Sequence, residues 1–310
     1  MIQDIFSLQV LLGVLTSGIR LATPYLYAAI GETLSQRSGV LNLGVDGIML
    51  VGAFSGYYVV LRTGNLWLGL LVGAMVGLVM GLAMAVISVT LQAEQGISGI
   101  GVYLFGLGLS DLLYQRWVGT PTAIDGFSHA PIPLLSRIPI IGPVFFDHTV
   151  LVYGAYLLVP LAWFVLYKTT FGLQIRAVGE NPESADSLGV SVTRVRYITV
   201  TLGGLLSGIA GASLSLALLG IFQQNLTNGL GFIAVALVYF GGWRPTYVLF
   251  GALLFSLVNA LQVWVQVKGI PIPSDVAVMM PYVLTIVVLV LTAGRVRAPA
   301  ALTKPYERGG

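Results

Sequence analysis

Long stretches without a charged side chain alternate with short polar breaks along this sequence. Charge-free runs cover residues 67–89, 148–167, 197–243, 245–267 and 276–294. All but one are close to the roughly 20 apolar residues that carry a helix across a bilayer. The exception, Tyr197 to Trp243, is too long for one span and is divided by a polar stretch holding Gln223, Gln224, Asn225, Thr227 and Asn228. The pattern predicts an outer turn there, followed by a short crossing segment at 229–239. With the segments before residue 120 included, the expectation is an all-α polytopic membrane protein of about nine transmembrane helices, forming a single transmembrane domain over residues 1–310.

Lysine and arginine set the expected sidedness. Lys168, Arg176, Arg194 and Arg196 crowd a central loop at 168–196, and Arg295, Arg297, Lys304 and Arg308 crowd a tail at 295–310. The positive-inside rule places both in the cytoplasm. Parity between them requires 229–239 to cross, which brings Gly241, Gly242, Trp243 and Arg244 to the inner face. Counting backwards, 120–147 is external, 92–95 internal, 62–65 external and 33–38 internal, so the N-terminus is expected outside and the C-terminus in the cytoplasm. Residues 1–19 lack a basic n-region and carry Asp4, so the first segment is expected to stay, with Asp4 to Ser17 lying on the membrane surface. The prolines at 121, 131, 133, 139 and 143 predict extended and turn structure in the external loop, either an ordered cap over the bundle or a surface for a soluble partner.

Composition narrows the chemistry. Only 9% of the 310 residues are charged and 56% are hydrophobic, which excludes a soluble domain of this size. With no cysteine there is no disulfide or thiolate chemistry. The two histidines, His129 and His148, lack ligand spacing, so neither a metal site nor a catalytic residue is expected. The glycine-rich GIGVYLFGLG beginning at Gly99 has no preceding strand and is not a nucleotide fingerprint. A nucleic-acid partner is not expected either; the lipid bilayer is.

Small and polar residues inside the spans mark contacts. Gly69, Gly73, Gly77 and Gly81 recur every four residues, and Gly204, Ser207, Gly208, Gly211 and Ser215 form a second stripe; each lets another helix approach closely. In SGVLNLGVDGIML, Asn42 and Asp46 stand among glycines at 39, 44 and 47. This predicts a broken or late-starting helix, with the two side chains either lining a translocation pathway or, for Asp46, stabilising a helix start. Asn259, Gln262 and Gln266 share one helix face, open to the pathway or to a neighbouring helix. Arg20, Glu32, Asp111 and Arg116 lie near span ends, where long side chains can reach the interface.

The central loop is the polar exception, holding seven of the 27 charged residues. Pro182 suits a first helical position, Glu183 and Asp186 suit the positive end, and Gly189 suits a stop, so a short surface helix is predicted. Here the chain resembles the inner-membrane permease subunits of ATP-binding cassette (ABC) importers, whose cytoplasmic loop carries Glu, two Ala and, six residues after the Glu, Gly. Glu183, Ala185 and Gly189 match, and Ser184 replaces the first Ala. The texts SGVLNLGVDGIML, GLQIRAVGENPESADSLGV, GGLLSGIAGA from Gly203 and GFIAVALVYFGGW from Gly231 are similar to the ribose, nucleoside and branched-chain amino acid type of permease. The likeness is nearest to the shorter permease of importers that use basic-membrane-lipoprotein-type nucleoside receptors. Leu34, Ser35 and Gln36 before Arg37 depart from the commoner acidic pattern.

The resemblance implies a permease subunit forming half of a pathway for a nucleoside or simple sugar, in a bacterial or archaeal inner membrane. It implies contact with a separate cytoplasmic ATP-binding subunit through Arg176, Glu180, Asn181, Pro182, Glu183, Ala185, Asp186, Leu188 and Gly189. The chain has no phosphate-binding GxxxxGK[ST] loop of its own, so ATP and Mg are expected on that partner and no cofactor on this chain. A second permease subunit, most simply a related heteromeric one, and an extracytoplasmic solute-binding protein or lipoprotein complete the implied assembly. The competing readings are an ion-coupled secondary transporter of small polar solutes, and an ABC permease for branched-chain amino acids.

Overall fold

The computed structural model describes residues 8–268, 273–292 and 297–307. In chain order its helices are α1 (Leu8–Arg37), α2 (Val45–Thr63), α3 (Leu66–Ala85), α4 (Gln95–Trp117), α5 (Ile141–Phe145), α6 (Val150–Lys168), α7 (Thr170–Glu180), α8 (Pro182–Ser187), α9 (Val192–Ser213), α10 (Leu230–Phe240), α11 (Pro245–Val267) and α12 (Ser274–Thr292). Among the described residues the only β pairing is an isolated bridge between His129 and Thr149. Asp4, Arg295 and Arg308 lie outside the described residues.

Among the described residues seven helices are long and apolar enough to cross a membrane: α1, α2, α3, α4, α6, α9 and α11, with α3 and α9 each extended by a π-helical segment. The expected count of nine is therefore not reached by that measure. Segment 229–239 is the reason for part of the difference. It forms α10, only 11 residues long, which at 1.5 Å per residue is about 16 Å, half a bilayer core. Segment 276–294 corresponds to α12, of 19 residues. The start of the chain also differs from expectation, because residues 8–17 continue unbroken into α1 instead of lying as a separate surface helix.

Local chemistry sets several of the boundaries. Gly64, at φ +69°, ends α2 in a left-handed turn, and Asn65 starts α3 by accepting from the Leu68 N–H at 3.1 Å. Glu94 caps α4 by accepting from the N–H groups of Gly96 at 3.0 Å and Ile97 at 2.5 Å. Those two donors hold its carboxyl below the usual carboxylate range.

The centre of the bundle is α9, packed against α1, α2 and α3. The two predicted glycine stripes meet each other here. A Cβ on Gly77 would lie 2.6 Å from Gly208 Cα, one on Gly81 2.7 Å from Gly204 Cα, and one on Gly52 2.8 Å from Gly208 Cα. Gly211 faces the Met49 backbone in the same way. Three helices thus touch main chain to main chain, which also shields a row of carbonyl groups from lipid.

The connections sort into two ends. At one, Arg37 Nε donates to the Trp243 carbonyl at 3.1 Å, and Gln92 Nε2 donates to the Tyr306 carbonyl at 3.2 Å. This end gathers 38–44, 91–94, 168–191, 241–244 and the tail. At the other, the 120–147 loop is laced to the end of α9, with the Ile124 N–H donating to Gly220 and the Phe127 N–H to Leu216. The Tyr57 hydroxyl donates to the Thr122 carbonyl at 2.7 Å, so this loop is an ordered cap.

Replacing Gly208 with Leu should lower the detergent unfolding midpoint by the equivalent of about 1–3 kcal/mol or more, because backbone faces it on two sides. Gly101→Ala, where nothing lies within 4 Å of the added methyl, should change the midpoint little or raise it slightly. Equal midpoints for the two variants would contradict the packing. A pH dependence is expected from the cap. His148 is fully buried, with Nε2–H donating to the Val144 carbonyl at 2.7 Å and Nδ1 unpaired. Burial pushes its pKa below the usual imidazole value. The unfolded chain then binds the extra proton, so this contribution to stability is complete above the unfolded pKa of about 6.5 and is lost as pH falls toward the folded value. Unfolding midpoints measured from pH 8 to 5 should fall, and His148→Gln should flatten that slope.

Candidate functional site

The α7–α8 corner is built from capping residues. Thr169 Oγ1 accepts from the Gly172 N–H at 3.1 Å to start α7, and Asn181 Oδ1 accepts from the Ser184 N–H at 3.0 Å to start α8, with Pro182 in its first turn. Gly189, at φ +84°, lets the chain leave α8 in the left-handed region. Ala185 is the inward side of this short helix. It is buried in an apolar cluster with Leu34 of α1, Leu166 of α6, Ile175 and Val178 of α7, and Val192 and Val195 of α9. The opposite side is open: Asn181, Glu183, Ser184, Ser187 and Gly189 are exposed, and Leu188 is 85% exposed. Leu188 is thus an exposed apolar side chain at the tip of a helix anchored to three spans.

Two of the residues grouped with α8 by sequence stand apart from its open face. Glu180 lies at the corner, 3.8 Å from Arg37 Nη1. Arg176 instead lies over the Tyr167 ring, 5.3 Å from its centroid, in a cavity shared with Arg37 and Arg244.

The tail folds back onto this corner, a feature with no signal in the sequence beyond its positive charge. The Ala301 N–H donates to Gly179 at 2.9 Å and the Thr303 N–H to Gly39 at 3.1 Å. Arg196, one of the topogenic cations, is 1% exposed; its Nε donates to the Ser38 carbonyl at 3.2 Å and its Nη1 to the Lys304 carbonyl at 3.0 Å. One guanidinium on α9 thereby ties the α1–α2 connection to the tail. Residues 300–301 and 304–307 share a groove with Asn181, Pro182 and Glu183.

Inside the bundle, Asp46 is fully buried in the first turn of α2. Its Oδ2 accepts from the Thr227 hydroxyl at 3.0 Å and its Oδ1 from the Gly231 N–H at 2.7 Å. The carboxylate therefore sits at the start of α10 as well as of α2, opposite two helix dipoles. Asn42 Oδ1 accepts from the Gly44 N–H, and its own N–H donates to Glu32 Oε1 at 2.9 Å. Gln36 Nε2 also donates to Glu32, and Trp243 Nε1 donates to Gln36 Oε1 at 2.7 Å. Glu32 and Gln36, which sequence reasoning placed at a span end or in a divergent stretch, are in fact the buried hub joining α1, the α2 start and the α10–α11 turn. Asn259 on α11 hydrogen-bonds to Tyr25 of α1. Asn259 and Gln262 are half-buried.

Residues 14–289 match the family model for the permease component of branched-chain amino acid transport systems. A putative glucose ABC transporter permease of Haloferax volcanii is 41% identical over 96% of this chain and 98% of its own length. A nucleoside ABC transporter permease of Lactococcus lactis is 40% identical over 90% of this chain and 92% of its own, and a guanosine ABC transporter permease of Bacillus subtilis 34% identical over 93% and 94%. No solved structure matches.

Asp46→Leu should leave the Thr227 hydroxyl and the Gly231 N–H without an acceptor, at about 1–3 kcal/mol for each buried donor. Asp46→Asn, which keeps one acceptor oxygen, should lie between Leu and the native residue when unfolding midpoints are compared. A Leu variant as stable as the native chain would show that these bonds do not hold the start of α10.

Proposed function

The chain belongs to the permease-component family of branched-chain amino acid transport systems, and is an ABC importer permease; from that premise we propose that its cargo is a nucleoside or a simple sugar. Three relatives matched over nearly their whole length are named for guanosine, nucleosides and glucose, and this supports a polar, ring-shaped solute over a branched-chain amino acid.

The observation that carries the mechanism is the pairing of opposite faces on α8: Ala185 packed among the ends of α1, α6, α7 and α9, and Glu183 and Leu188 open to solvent. In this reading α8 seats in a cytoplasmic ATP-binding subunit, which holds ATP and Mg. A push on its exposed face is passed to the spans because the buried face has no slack; packed interfaces shift between discrete arrangements instead of deforming smoothly. Nucleotide binding by the partner then biases an inward–outward equilibrium. A second permease subunit supplies the other half of the pathway, and an external solute-binding protein or lipoprotein delivers cargo at the 120–147 end. Asn42, Asp46, Asn259 and Gln262 are the polar groups proposed to lie along or brace that pathway. The C-terminal tail and the α7–α8 corner face the cytoplasm, with the N-terminus outside.

The test is uptake of labelled nucleosides, pentoses and hexoses into proteoliposomes holding this chain with its co-purifying subunits, beside a Glu183→Arg, Gly189→Asp variant. ATP-dependent uptake by the native assembly is expected to fall at least tenfold in the variant, with the variant still inserted in the membrane. ATP-independent uptake that survives in the variant would overturn the coupling role of α8 and favour an ion-coupled carrier.

A further inference from the structure

The cavity beside the α7–α8 corner has a composition that the transport reading does not use. It encloses about 750 Å³ between α6, α7 and α11 and is walled by three guanidinium groups, those of Arg37, Arg176 and Arg244. Among the described residues of its wall the one carboxylate is Glu180, and it is spent on Arg37 at 3.8 Å. Arg176 and Arg244 rest on aromatic faces, 5.3 Å from the Tyr167 centroid and 5.7 Å from the Tyr247 centroid. Arg176 Nε is buried with no hydrogen-bond partner. A buried guanidinium donor is costly to leave unmade, and two cations braced on rings with no counter-ion among the described residues call for an anion between them.

The remaining wall says what carries that anion. Trp163 is 41% exposed, Tyr247 53% and Phe250 59%. Beyond the cavity the same helices continue as apolar stripes, Leu157, Leu161 and Phe164 on α6 and Leu254 and Leu261 on α11, all exposed. At the rim Lys168 Nζ sits 5.7 Å from the Trp163 centroid. A cationic floor with aromatic sides opening onto apolar tracks matches a charged headgroup with acyl chains attached; a soluble acidic peptide would find no use for the tracks.

We propose that this cavity binds the phosphate headgroup of an anionic glycerophospholipid from the cytoplasmic leaflet, with its chains along α6 and α11. The proposal rests on placing the α7–α8 end in the cytoplasm. Arg176 is on α7, one turn from its end, and Arg37 ends α1. The bound lipid therefore acts as a pin between the membrane and the corner that receives the ATP-binding subunit.

Native mass spectrometry of the full chain, purified from membranes and titrated with phosphatidylglycerol or phosphatidylcholine, tests this. Retained phosphatidylglycerol is expected, with phosphatidylcholine at least tenfold weaker. Arg176→Gln with Arg244→Gln should weaken phosphatidylglycerol retention on the order of tenfold to thirtyfold, since each cation near the surface contributes about fivefold or slightly less. Arg176→Lys with Arg244→Lys should keep most of it, which separates loss of charge from loss of fold; Arg244→Gln alone should give an intermediate loss. Equal retention of the two lipids, or unchanged phosphatidylglycerol in the double Gln variant, would overturn the proposal, as would cross-linking of Arg244 to an acidic residue of a protein subunit. The Glu183→Arg, Gly189→Asp variant should still retain the lipid. A lost transport phenotype and a lost lipid therefore fail independently.

Discussion

Within a bilayer, helices gain nothing by hiding oily side chains from lipid that is equally oily, so cohesion must come from close contact and from polar groups that have no water to turn to. In this chain both demands converge on α9. Gly204, Gly208 and Gly211 let it lie against the backbones of α2 and α3. α1 packs on its opposite side, and the cap at one end and the tail at the other are both hydrogen-bonded to α9 or its π-helical extension. The polar load of the bundle is then met by a few side chains. Asp46 satisfies the exposed start of a half-length helix that could not otherwise begin inside a membrane, and Glu32 collects donors from the irregular chain between α1 and α2.

Such a scaffold suits a transport subunit. The interior is joined by hydrogen bonds that link α1, α2, α10 and α11 into one body, while α8 projects from it on a buried Ala185. A force on α8 reaches α1, α6 and α9 within one layer of side chains. The tail, drawn in by Arg196, adds a second strap across the same corner, so three segments that are far apart in sequence are tied together: 38–44, 179–189 and 297–307. The basic, aromatic cavity lies on the flank of that corner.

Much of the architecture is legible in the sequence because its causes are local. Runs of uncharged residues define spans; Pro182, Glu183 and Gly189 define α8; glycines at every fourth position define helix faces. Asn181 as the cap of α8 could also have been found, since it stands directly before Pro182 and is a favoured capping residue. The four-residue spacing of Gly69, Gly73, Gly77 and Gly81 announced a contact without naming its partner.

What the sequence determined by itself, then, is the class of molecule, the order of its apolar segments, and the short exposed helix α8, since each depends on neighbours within a turn or two. Only the tertiary structure decided that the two glycine stripes face each other, that 230–240 is half a span anchored on Asp46, that Arg196 is a buried clamp for the tail and that Arg37, Arg176 and Arg244 share one cavity. The physical reason is distance along the chain. Asp46 and Gly231 are 185 residues apart and Arg196 and Lys304 are 108 apart. A buried charge reads the same in sequence whether it lines a pathway, caps a helix or holds a carbonyl; only its partners in space tell these apart.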